Sequence, residues 1–64
     1  MNIKYFIISH EDALRLGVTK FRQGSEKAGY LVHQGDMACA TEDLMSRARQ
    51  VSVTEAKEFI KSIH

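Results

Sequence analysis

The feature that most constrains this chain is Ile3-Lys4-Tyr5-Phe6-Ile7-Ile8, whose apolar side chains fall on both parities: Ile3, Tyr5 and Ile7 on one, Phe6 and Ile8 on the other. β-Branched and aromatic residues dominate it, so it reads as a strand. A strand apolar on both sides must be covered on both sides. In 64 residues little material is left to wrap a sheet twice, because a domain of this length buries only about 60% of the surface its unfolded chain exposes.

A core of this size contributes roughly 3–5 kcal/mol, and small domains commonly add disulfides, a metal or a second copy of themselves. One cysteine, Cys39, excludes an internal disulfide. Cys39, His10, His33 and His64 lack the short paired spacings of a structural zinc site, so no metal or other cofactor is expected. Self-association is the remaining aid. The expectation is a homodimer, or a complex with another protein, formed through an open sheet face or a free strand edge.

The rest of the chain divides readily into elements. Ser9 can cap a helix of about two turns, with Glu11 and Asp12 at its start and Gly17 at its left-handed end. Val18 to Gln23 and Tyr30 to Gln34 read as strands joined through Gly24-Ser25-Glu26-Lys27. Gly35-Asp36 predicts a tight hairpin, with positive φ at Gly35, leading into a strand Met37-Ala38-Cys39-Ala40. Thr41 to Arg49 has a capping threonine, early acids and late arginines, the signature of a helix. Val51-Ser52-Val53 is a connector or edge strand. Thr54 to Ile63 places Ala56, Phe59, Ile60 and Ile63 on one helical face, with Thr54 and a Ser52/Glu55 capping box as competing starts. The order is strand, helix, three strands, two helices. It predicts a single α+β domain: a largely antiparallel sheet of three or four strands with two or three short helices packed on one face.

Candidate chemistry is sparse. Cys39, His33 and Asp36 include the residue types of a thiol nucleophile, its base and an orienting acid. Across a tight hairpin, however, His33 and Cys39 would point to opposite faces, and Met-Ala-Cys-Ala reads as packing. Successive helical positions spread His10, Glu11 and Asp12 by about 100 degrees each, which suits capping better than a shared ion. His64 is terminal. No phosphate-cradling glycine motif is present.

Lys20, Arg22 and Lys27, interleaved with Phe21 and Tyr30, combine phosphate contacts with aromatic surface in the manner of single-stranded nucleic-acid binders. On a strand, Lys20 and Arg22 would share one face while Phe21 pointed away, and a charged guard on a sheet edge has the same pattern. Arg47 and Arg49 suit a helix end. The Phe59, Ile60 and Ile63 stripe suits a core-facing helix or, more rarely, a groove-binding one.

Nine basic and eight acidic residues give a net charge of +1, so no global field steers the chain to nucleic acid or anionic lipid. The apolar run Tyr5 to Ile8 is too short for a signal h-region or a bilayer span, and one unpaired thiol suits a reducing compartment, so a cytoplasmic location is expected. These features favour a non-catalytic interaction module that self-associates. The alternative is a single-stranded nucleic-acid binder using Lys20, Arg22 and Lys27.

Overall fold

The computed structural model describes residues 3–20 and 22–63; Phe21 and His64, singled out above, lie outside them. The elements are β1 (Tyr5–Ile8), α1 (His10–Leu16), β2 (Gly24–Ser25), β3 (Gly29–His33), a 3-10 turn (Gln34–Met37), α2 (Glu42–Arg47), β4 (Arg49–Val51) and α3 (Val53–Ile63). The four strands form one antiparallel sheet in the order β2-β3-β1-β4. The chain is therefore α+β, and up to β4 it follows the split β-α-β arrangement. No helix among the described residues is long and apolar enough to cross a membrane.

β1 lies at the centre of the sheet and both of its faces are covered. Phe6 and Ile8 pack with Tyr30 and Val32 against Ala13 of α1, Met37 of the 3-10 turn and Leu44 of α2. On the opposite face Tyr5 and Ile7 pack with Leu31 and Val51 against Ala56, Phe59 and Ile60 of α3. The helices thus divide between two faces instead of sharing one. This removes the original ground for a dimer: α3, 11 residues long, supplies the second cover that so short a chain was expected to lack.

Backbone hydrogen bonds set the phase of the ladder. Gln34 N–H donates to the Lys4 carbonyl at 2.8 Å, and Leu31 N–H to the Gln23 carbonyl at 2.8 Å. Antiparallel pairs alternate, so Phe6 and Ile8 turn their peptide groups toward β3, and Tyr5 and Ile7 turn theirs toward β4. By the same alternation the outermost strands present the peptide groups of Gly24 and Gln50 to the outside.

Local rules explain the helix ends. Asp12 N–H donates to Ser9 Oγ at 3.2 Å and Leu44 N–H to Thr41 Oγ1 at 3.2 Å, as side-chain caps should. At α3 the capping box prevails over Thr54: Glu55 N–H donates to Ser52 Oγ at 3.1 Å while Ser52 N–H donates to Glu55 Oε1 at 3.3 Å. Gly17, at φ +70°, ends α1 in a Schellman motif, with Gly17 N–H on the Leu14 carbonyl and Val18 N–H on that of Ala13.

Two expected strands are corrected. Val18 is drawn into the cap of α1 and packs on the core; Thr19 and Lys20 form a turn, Arg22 and Gln23 a bend, and the strand that pairs with β3 is the two-residue Gly24–Ser25. The Gly35-Asp36 hairpin does not form, and Gly35 has no positive φ. The Gln34 N–H, which a two-residue hairpin would give to Met37, is bonded to the Lys4 carbonyl, and the His33 N–H is taken by the Asp36 carboxylate. The chain turns through Gln34–Met37 instead and buries Met37.

Candidate functional site

The densest polar cluster joins Arg22, His33 and Asp36. Arg22 clasps the Asp36 carboxylate with Nε and a terminal nitrogen. The His33 N–H donates to Asp36 Oδ2 at 3.0 Å, and the Gly35 N–H donates to His33 Nδ1 at 3.1 Å. Together the last two bonds close a capping box that starts the 3-10 turn. With Nδ1 accepting, the neutral ring carries its proton on Nε2, which lies 3.6 Å from Asp36 Oδ2 and 3.4 Å from an Arg22 nitrogen. The Arg22 guanidinium, and after it the His33 amide, hold the Asp36 carboxyl below the usual carboxylate range against the opposing effect of burial.

This cluster edges a concavity of about 180 Å³ lined by Tyr5, Arg22, Gln23, Leu31, Val32 and His33. Tyr5 and His33 are cross-strand partners, and the ladder phase makes theirs a non-hydrogen-bonded pair, the type whose side chains stand closest. Leu31 shares their face and forms the floor.

The structure separates the other sequence candidates. Cys39 is exposed in the turn beyond Met37, outside any strand. Among the described residues no three His, Cys, Asp or Glu side chains are placed to hold a metal ion. Lys20 stands exposed in its turn, Lys27 in the turn between β2 and β3, and Arg22 is turned onto Asp36, so the three do not line up along a strand. His10 stacks on Tyr30 at 5.6 Å between ring centroids, and its Nε2 lies 3.8 Å from Glu26.

Sequence reasoning missed the role of Asp12. Its side chain is 2% exposed and binds Arg47 of α2, with Nη2 at 2.8 Å and Nε at 3.2 Å, and Arg15 of α1 at 3.1 Å. The Arg47 bonds are the main influence holding its carboxyl below the usual range, opposed by burial. The pair clamps α1 to α2 over the sheet. Its partners are 35 residues apart, beyond any local pattern.

A second surface surrounds β4. A groove of about 540 Å³ is lined by Ile3, Lys4, Tyr5 and Gln50 to Val53. Ile3 and Val53 are 59% and 54% exposed. Along the flank of α3, a further groove is lined by Arg49, Thr54, Glu55, Glu58, Phe59 and Ser62. No protein-family model, no curated protein and no solved structure gives a significant match to the chain.

Proposed function

We propose that this protein is a non-catalytic interaction module that pairs with a second copy of itself along the outer edge of β4. The observation that supports this is the convergence of unsatisfied surface at one edge. Gln50 turns its peptide groups outward there, exposed Ile3 and Val53 line the adjoining groove, and half-buried Phe59 borders the next. Ile3 and Val53 are two of the four large apolar side chains left exposed among the described residues.

A two-fold interface requires a self-complementary patch, and this edge meets the condition. Antiparallel pairing centred on Gln50 lets the two copies exchange two backbone hydrogen bonds. It also sets Arg49 of one copy opposite Val51 of the other, toward the acidic first turn of α3 that contains Glu55. The assembly closes at two, because the opposite edge, β2, offers only the peptide groups of Gly24 beside a charged turn. With so short an edge, the pairing is of the weak, small-interface kind.

Sedimentation equilibrium over roughly 1–500 µM tests this, spanning the range of a weak dimer. The expected result is a monomer–dimer equilibrium abolished by Val53→Asp, a change tolerated at the first position of a helix, and unaffected by Leu14→Asp on the exposed side of α1. A monomer at every concentration, or a dimer indifferent to Val53→Asp, overturns the proposal.

A further inference from the structure

The concavity bordered by Tyr5, Leu31 and His33 lies on the other side of Tyr5 from the β4 groove. Its walls are of three kinds. Tyr5 and His33 supply two rings from paired positions on neighbouring strands, Leu31 an apolar side chain, and Arg22 and Gln23 a planar guanidinium and an amide. The charge of Arg22 is balanced by Asp36, so the site holds no bare cation for a free inorganic anion. A flat, uncharged ring with hydrogen-bonding edges matches such a lining: it stacks on the aromatic side chains and meets the amide and guanidinium at its rim.

We propose that this concavity binds a nucleobase. Two sources share that chemistry, a free nucleotide and a single-stranded nucleic acid. The surrounding charge favours the strand. Lys20 stands in the turn just before Arg22, and Lys27 lies in the turn beyond the far end of β3, whose Gly29 is roughly 13 Å from His33 at about 3.3 Å per residue. Exposed lysines at that spacing reach phosphates flanking the bound base, and a mononucleotide is too short to meet both.

The test is an amide NMR titration of the whole chain at low salt with the four nucleoside 5′-monophosphates and with oligothymidylate and oligoadenylate ten-mers. Tyr5, Gln23, Leu31 and His33 are expected to shift, with ten-mers binding more tightly than monophosphates and weakening as salt rises. His33→Ala and, independently, Tyr5→Leu should each lower affinity roughly five- to a hundredfold, the range for loss of one stacking partner. Lys27→Ala should weaken the ten-mers alone, and Lys57→Ala, on α3 and outside the lining, should change nothing. Equal affinity for monophosphates and ten-mers, with both aromatic changes still weakening binding, supports the base site and assigns it to free nucleotides. No shift at these residues with any probe, or shifts that survive both aromatic substitutions, overturns the proposal. Val53→Asp should leave the titration unchanged, which separates this result from that of the β4 interface.

Discussion

Asp12→Asn tests the clamp between α1 and α2. The substitution keeps the side chain's shape and removes the charge that Arg47 and Arg15 share. Removing one member of a fully buried ion pair costs about 3–5 kcal/mol, but here only the carboxylate is enclosed. The Arg47 and Arg15 side chains are 48% and 61% exposed, so water takes over their hydration when the charge disappears. The loss then approaches that of a charge-assisted hydrogen bond to Asp12, about 2 kcal/mol. For a chain whose total stability is about 3–10 kcal/mol, that is a lowering of Tm by about 8–16 °C. Urea unfolding of the two proteins across pH is the assay.

The pH dependence carries the sharper prediction. The folded-state pKa of Asp12 is lowered, so its contribution is present above the ordinary carboxylate range and is lost as pH falls through the folded value. The gap between wild type and Asp12→Asn should be complete at pH 7 and close progressively below about pH 5. Asp36 is lowered in the same direction, but it titrates in both proteins and cancels in the difference. A variant within about 0.5 kcal/mol of wild type at pH 7, or a gap still undiminished near pH 2, would refute the ionic clamp.

Gly29→Ala should cost more than about 1 kcal/mol in chemical denaturation, because φ is +87° and a Cβ would meet the Ile8 carbonyl oxygen; an unchanged midpoint would contradict that geometry. Ser52→Ala, which removes half of the α3 capping box, should lower stability by about 1 kcal/mol. Leu44→Ala should cost about 2–5 kcal/mol, and Leu14→Ala within about 0.5, since one side chain is in the core and the other exposed. Ellman's reagent should titrate Cys39 in the native protein without denaturant; a thiol that reacts only after unfolding would contradict its exposure.

Much of the local structure is legible along the chain because its causes lie within a few residues. Ser9, Gly17, Thr41 and the Ser52/Glu55 box mark helix ends through hydrogen bonds spanning three to five positions, and the two-sided apolar pattern of β1 marks a strand needing double cover. The errors have a common origin. A Gly-Asp pair between apolar runs is a hairpin signal only if the peptide groups flanking it can pair with each other, and the Gln34 N–H is engaged by Lys4. Likewise Val18 to Gln23 has strand-like composition, but its first residue completes the cap of α1.

Of the candidate surfaces, the sequence marked Arg22 and the chance of a free edge without saying what surrounds either. Tyr5 and His33 are 28 positions apart and become neighbours only through the β1–β3 register. The amino-acid order by itself determined where the chain caps, turns and hides its apolar side chains, because those preferences act over one or two turns of backbone. Which strand took the centre, which face α3 covered and which arginine reached which carboxylate were decided in three dimensions. Each depends on edges and volumes that exist only after the other elements have packed.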